Sequence, residues 1–371
     1  MASAGGDNIM QCAFRQAGRK ALALAAGLLC AAAASWPAHA EGIVTYSGPD
    51  REARLLEGAR GEGSLTVYTS MRNHDMRELA DAFEGKYGVK VVFWRGNAQK
   101  VLQRTVSEAQ AGRHEVDVVQ APALVMQALH EEKLLQPLYS PNFAQLRPEA
   151  LNDSGTWAAV RAYVYVQAYN TDKVSRDELP ATYEDLLDPR WKGRLGAEAK
   201  AQEWFRTLLQ QMGEEKGLAL FRRIVAENGV SVRSGNSLLN NLVVSGEVPF
   251  ALSVYNYMPE KSMSEGAPIN YVALKPTIAY NDGIAVAAAA RHPHAAALFV
   301  DFMLDEGMKL MKKQQHLTMH KQDDEVLDRF DPVFIDAAAM LKGYDDWTVF
   351  YQDVIAGRPA QLPSKGDKGK Q

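Results

Sequence analysis

Thiols are nearly absent from this chain. Cys12 and Cys30 are its two cysteines, and both fall within the first forty residues. Past Cys30, disulfides, iron–sulfur clusters, zinc–thiolate sites and cysteine nucleophiles are excluded together. A metal in that part of the chain must be held by oxygen and imidazole donors. Long apolar runs are also missing. The clearest one, "ALALAAGLLCAAAA" at 21–34, is too short to span a bilayer. No basic excess exists either, with 41 Lys and Arg against 45 Asp and Glu, so a nucleic-acid role has no patch to rest on. Hydrolase signatures are lacking. There is no G-x-S-x-G elbow and no P-loop, and neither His114-Glu115 nor His130-Glu131 is followed by a second histidine at zinc-site spacing. A secreted hydrolase is therefore the weaker alternative of another class, and the expectation is a protein that is not an enzyme.

What is present begins with a leader. Arg15, Arg19 and Lys20 precede the apolar run, and the small-residue site Ala38-His39-Ala40 follows it. That order predicts a secretory signal peptide over 1–40, cut near Ala40. Leu29 precedes Cys30, where a lipid-anchor signal needs a small residue, so no lipid anchor is expected. The leader contains Arg15, Arg19, Lys20 and Asp7. Subtracting them from 41 and 45 leaves 38 basic and 44 acidic residues, a net charge of −6. A mature chain of roughly 330 residues exceeds one ordinary core, which predicts two lobes.

The first half alternates strand and helix. Strands are read at 65–69, 89–94 and 116–120. Helix "RNHDMRELADAFEGKYG" puts Met76, Leu79, Ala80 and Phe83 on one face and stops at Gly88. A helix from Asn97 turns Val101, Leu102, Thr105, Val106 and Ala109 inward, and Pro122 opens a third. This order predicts a parallel sheet with crossover helices. After residue 150 the order changes. "VRAYVYVQAYN" reads as one long alternating strand. Helices follow at 201–212 and 215–227, then strand "VSVR", a helix at 236–245 and strand "PFALSVY". Further strands are expected near 270–274 and 282–289, and helices at 294–304 and 306–315. Beyond 320 the chain is charged and reads as irregular, with a lysine-rich end.

Ligands of open parallel sheets bind outside the carboxyl ends of the strands, where loops lead into helix N-termini. Such loops here are Thr69-Ser70-Met71-Arg72, Arg95-Gly96-Asn97 and Gln120-Ala121-Pro122 in the first half. Arg233-Ser234-Gly235-Asn236-Ser237 and the stretch "SVYNYMPEK" at 253–261 are their counterparts in the second. Ser70 and Ser234 offer hydroxyls, and Arg72, Arg95 and Arg233 offer guanidinium groups for an anion. The plain alternative is that these are ordinary caps and turns. Strand alternation puts Ala251, Ser253, Tyr255 and, if the extended geometry persists, Tyr257 on the small, polar face, away from Phe250, Leu252 and Val254. His292, His294, His316 and His320 lie around helical segments and are expected outside the cleft.

Nine stretches in order carry a resemblance: "LTVYTS", "AFEGKYGVKV", "VDVV", "KLLQPLYSP", "AYNTDKV", "YEDLLDPRWKGRL", "SGEVPFAL", "EGAPI" and "HAAALFVDFML", from 65 to 304. Together they resemble the periplasmic solute-binding proteins of ABC importers, in the group that includes the ferric-ion-binding proteins. The resemblance implies a type 2 periplasmic binding fold, α/β, with two doubly wound lobes joined by a two-strand hinge. The lobes are expected at 64–160 plus 275–315 and at 161–274, with a helical and irregular tail at 316–371. It further implies a monomer in the periplasm, no cofactor, an inner-membrane permease as partner and a small solute in the cleft.

Ferric ion is the favoured solute, held by Tyr255, Tyr257 and Glu198. An organic anion such as a phosphonate, sugar phosphate or carboxylate is the alternative, with Ser70, Arg72, Arg95, Arg233 and Ser234 as its contacts. The chain departs from the group in three places. Asn256 separates the tyrosines. Arg72 stands nearest the usual histidine, with His74 two residues on. "QAPA" at 120–123 has no carboxylate, for which Glu198 compensates from the other lobe.

Overall fold

The computed structural model describes residues 40–363. The expected leader, apart from Ala40, and the lysine-rich end lie outside the described residues. After α1 (Arg51–Glu62) the first lobe runs β1 (Ser64–Thr69), α2 (Asn73–Tyr87), β2 (Lys90–Arg95), α3 (Ala98–Gln110), β3 (Val118–Pro122) and α4 (Ala123–Glu131). β1 pairs in parallel with β2 on one side and β3 on the other. α2 buries Met76, Leu79, Ala80 and Phe83, the face its spacing predicts, and ends at Gly88 with φ 71°. That left-handed conformation suits glycine. The Asn97 side chain accepts from Lys100 N and caps α3.

β4 (Ala158–Asn170) is thirteen residues long and buried throughout. Its first half, Ala158–Val164, pairs antiparallel with β9 (Thr277–Val286), which also pairs with β3. Its second half pairs with β7 (Phe250–Tyr255) and β8 (Ile269–Val272). The second lobe adds β5 (Leu195–Glu198), α5 (Gln202–Met212), α6 (Glu214–Asn228), β6 (Ser231–Arg233), α7 (Asn236–Val244) and α8 (Tyr257–Ser264). The strand order is β2-β1-β3-β9-β4-β7-β5-β6. The hydrogen-bonded series is thus continuous through β4, because one long strand serves both lobes.

β9 begins earlier than the strand expected at 282–289. Asp282, which opens the expected strand, lies in the middle of β9 and is paired with Arg161 inside the sheet. Four-residue β5, at 195–198, was not among the expected strands.

α9 (Pro293–Phe302) and α10 (Met308–Lys313) return to the first lobe, and β10 (Leu317–Thr318) pairs with β4. The charged segment beyond 320 is built into the body. β11 (Pro332–Phe334) pairs with β9, and α11 (Ala337–Leu341) packs on α4. α12 (Tyr344–Ile355) sets Phe350 and Tyr351 against Phe205 of α5, with ring centroids 6.3 and 5.2 Å apart. Its apolar residues are interleaved with charged ones at helical spacing, so charge density alone conceals the buried face.

Candidate functional site

The long strand β4 carries Arg161, Tyr163 and Tyr165 in one phase. Antiparallel pairing sets Arg161 opposite Asp282, Tyr163 opposite Tyr280, and Tyr165 opposite Tyr255. Register therefore gathers four phenols and an ion pair on one face of three neighbouring strands. Tyr163 lies 5.0 Å from Tyr280 and 5.7 Å from Tyr255 between ring centroids. Tyr165 lies 5.0 Å from Tyr255, and their hydroxyls are 3.4 Å apart.

Tyr257 joins by a different route from the expected one. The strand ends at Tyr255, and Asn256 turns helical at φ −48°, ψ −41°, so Tyr257 opens α8 with Pro259 in the first turn. The turn leaves Tyr255 and Tyr257 stacked, 6.2 Å apart and 11° from parallel, and brings Tyr257 within 5.2 Å of Tyr163. Asn256, only 1% exposed, fixes this turn. Its N–H donates to Val164 O at 2.9 Å, and its Oδ1 accepts from Val164 N at 3.1 Å.

One side of the cluster is charged. Arg161 donates through Nε to Asp282 Oδ2 at 2.7 Å, and its guanidinium lies 5.0 Å from the Tyr163 ring. His316 has its ring 6.5 Å from those of Tyr163 and Tyr257, and its Nε2 lies 3.2 Å from Asp75 Oδ2. Arg72 donates from Nε to the same oxygen at 2.8 Å. Burial pushes Asp75 upward, but the hydrogen bonds from His316 and Arg72 outweigh it and hold the carboxyl at about 2. Burial pushes His316 down, against its bond to Asp75. Every phenol of the cluster is raised by burial. For Tyr257 the Arg161 and Arg72 charges oppose that rise. Beneath the cluster, burial pushes Glu203 up to about 7.

The sequence-predicted residues separate into two sets. Tyr255, Tyr257 and Arg72 meet at the cluster. Ser70 lies at the end of β1, its N–H donating to Gln120 O at 3.1 Å, and Arg95 donates from Nε to Met71 O at 3.4 Å, so both stay on the first lobe's loops. Glu198 is buried at the end of β5, where its carboxylate accepts from Gly235 N at 2.9 Å and from Lys200 N. Its oxygens hold the 233–236 loop, and burial raises its pKa. Arg233 pairs with Glu247 at 3.3 Å, and Ser234 is exposed beside it.

The four histidines also divide. His292 pairs with Asp117, His294 with Glu62 and His320 with Gln145. His316, expected outside the cleft, instead stands among the tyrosines, because β10 lies along β4.

Sequence reasoning missed Arg161, Tyr163, Tyr165, Tyr280 and Asp282. The signal was the phase of "VRAYVYVQAYN", which puts Arg, Tyr, Tyr, Gln and Tyr on a single face. The arrangement offers phenol oxygens, one imidazole and a balanced set of charges. Among the described residues no three His, Cys, Asp or Glu side chains are grouped to hold a metal, so phenols are the main oxygen donors on offer.

Residues 78–315 match the family described as bacterial extracellular solute-binding protein. An Fe(3+)-binding periplasmic protein of Serratia marcescens is 28% identical over 55% of this chain, and the match spans 60% of that relative's length. Iron uptake protein A1 of Synechocystis is 24% identical over 81% of this chain and 92% of its own. The crystal structure of iron-bound HitA from Pseudomonas aeruginosa superposes with a TM-score of 0.62 at 26% identity, covering 70% of this chain and 87% of that one.

Proposed function

This chain belongs to the bacterial extracellular solute-binding protein family, and from that premise we propose that it captures ferric ion in the cleft between its lobes. It acts in the periplasm as a non-catalytic monomer, delivered there by its leader, and passes the ion to an inner-membrane ABC permease. The bodies that close are residues 64–160 with 275–315, and residues 161–274. The observation that carries the reading is the convergence of Tyr163, Tyr165, Tyr255, Tyr257 and Tyr280, whose neighbouring ring centroids lie between 5.0 and 6.2 Å apart. Ferric ion is a hard cation that prefers oxygen ligands, and phenolate is among the strongest that a protein offers. The likeness to the Serratia Fe(3+)-binding protein, the Synechocystis iron uptake protein and iron-bound HitA supports the same cargo.

Capture requires displacing protons. The buried phenols are neutral at pH 7, and each one that binds the ion releases a proton. The ion-paired Arg161 and Asp282 add no net charge, so the trivalent ion is neutralised by the phenolates themselves. Titrating the metal-free protein with ferric citrate tests this. A visible phenolate-to-iron charge-transfer band is expected, and it should weaken or disappear in Tyr255→Phe. No band at saturating ferric citrate would overturn the reading.

The organic-anion reading rests on the Arg72 guanidinium, half-exposed at the edge of the cluster. Under it, native mass spectrometry would show a retained anion, and Arg72→Ala would weaken binding more than either tyrosine change.

A further inference from the structure

We propose that Nδ1 of His316 is a nitrogen ligand to the cargo ion, completing the tyrosine cluster from the far end of the chain. The inference rests on the ferric reading above and names a donor outside the expected set. It begins with the tautomer. Asp75 is an ionised carboxylate and can only accept. Its Oδ2 lies 3.2 Å from His316 Nε2, so that nitrogen carries the proton, since two lone pairs at this distance would repel. Arg161 Nη1, at 3.4 Å from the same nitrogen, is then a neighbour and not a donor to it.

The proton placement leaves a lone pair on Nδ1. That atom is buried and has no hydrogen-bond partner, and the residue is only 7% exposed. The ring is 6.5 Å from both Tyr163 and Tyr257. A buried acceptor with no donor, beside a cluster of phenols, is poorly explained by packing alone. An imidazole whose other N–H is held by a carboxylate is the usual arrangement of a metal-bound histidine.

The backbone fixes the ring independently of any ion. Gln315 is left-handed at φ 66°. Its N–H bonds Lys312 O at 2.9 Å, and the N–H of His316 bonds Met311 O at 3.0 Å. This is a Schellman end to α10. The next two residues pair with β4 at Ala162 and Arg161, which holds His316 beside Tyr163.

His74 is the competing nitrogen. It is exposed on α2, with Nδ1 3.7 Å from the other oxygen of Asp75.

The test is pulsed electron paramagnetic resonance on untagged, full-length protein loaded with ferric citrate. The expected result is a nitrogen coupling typical of directly bound imidazole, lost in His316→Gln and kept in His74→Gln. Glutamine can still donate to Asp75 through its amide but has no atom equivalent to Nδ1. The charge-transfer band should survive in His316→Gln, shifted, with affinity lower by at least the ~10- to 100-fold that loss of an outer partner alone costs a metal site. A band without any nitrogen coupling in the wild type would overturn the inference and leave the ferric reading standing. No band at all would overturn both. Coupling that persists in His316→Gln, or that vanishes in His74→Gln, would also overturn it. The His74→Gln result decides the matter if His316→Gln does not fold.

Discussion

Asn256 separates two tyrosines that the ferric binders resembling this chain place side by side, and it is the most buried of the three. Its side chain and its N–H both bond to Val164, so the spacing of Tyr255 and Tyr257 is clamped to β4 and not left to the loop. Asn256→Ala strands the buried N–H of Val164. The expected cost is about 1–3 kcal/mol of folding stability, read by denaturant unfolding, together with weaker ferric binding as the stacked pair loses its register. Unchanged unfolding and affinity would show that the clamp has no role. Proton counting tests the phenols one at a time. All are raised above the ordinary phenol value, so the metal-free site is protonated throughout the neutral range. Lowering the pH favours the protonated site and weakens binding. Each coordinated phenol adds one unit to the slope of log affinity against pH. Tyr255→Phe and Tyr257→Phe should each reduce that slope by one between pH 6 and 8. A slope unaffected by either change would remove that phenol from the coordination sphere.

Among the elements, the turn after α10 has the most direct consequence. Gln315 takes a left-handed conformation that costs a side-chain-bearing residue roughly 1 kcal/mol. Gln315→Gly should therefore be neutral or stabilising, whereas Gln315→Val should destabilise and displace His316, lowering ferric affinity in parallel. Thermal unfolding and the charge-transfer titration together read both effects. This turn also shows where sequence reading stops. The βα order of the first lobe and the amphipathic face of α2 were legible because they depend on local periodicity. So was the polar face carrying Tyr255. The remainder of the site depends on non-local register. That Tyr163 faces Tyr280, and that β10 lies along β4, follows from which strands pair, and no window of sequence contains that information. The phase of β4 was visible, but its partners were not. The start of β9 at Thr277 was missed for a related reason, since the burial of Asp282 depends on Arg161, its partner on another strand.

At the scale of the whole molecule, the segment past His316 is the unexpected part. α11 packs on α4 of the first lobe, and α12 packs on α5 and α6 of the second, so the segment touches both. α12 buries Trp347, Phe350, Tyr351, Val354 and Ile355. Burying one such side chain is worth roughly 1.5–3 kcal/mol. Ending the chain before Tyr344 therefore removes stabilisation comparable to the whole of a domain's net stability, about 5–15 kcal/mol. The truncated protein is expected to be insoluble or to lose its cooperative unfolding transition.

Closure is the remaining test at this scale. The lobes share β4 and β9, and the buried apolar side chains form two clusters, one around Phe83 and Phe299 that continues past β4 to Leu239, Val243 and Val254 of the second lobe, and the other around Trp204 and Phe221. Lobes joined in this way move relative to each other by default. A cargo ion that gains donors from both lobes shifts the population toward the closed form. Here Tyr255 and Tyr257 come from the second lobe, while Asp75 and Arg72, which flank His316, come from the first. The segment that spans α4 and α5 has to travel with one lobe or slide against the other, which limits how far the cleft can open. The expected result in small-angle scattering is a modest fall in radius of gyration, from about 20 Å for a compact chain of this size, when ferric citrate is added until the charge-transfer band saturates. The fall should be absent in a Tyr255→Phe, Tyr257→Phe double variant. A saturated band with no change in radius would mean that the ion is held by one lobe alone, and the cleft would then have no part in retaining it.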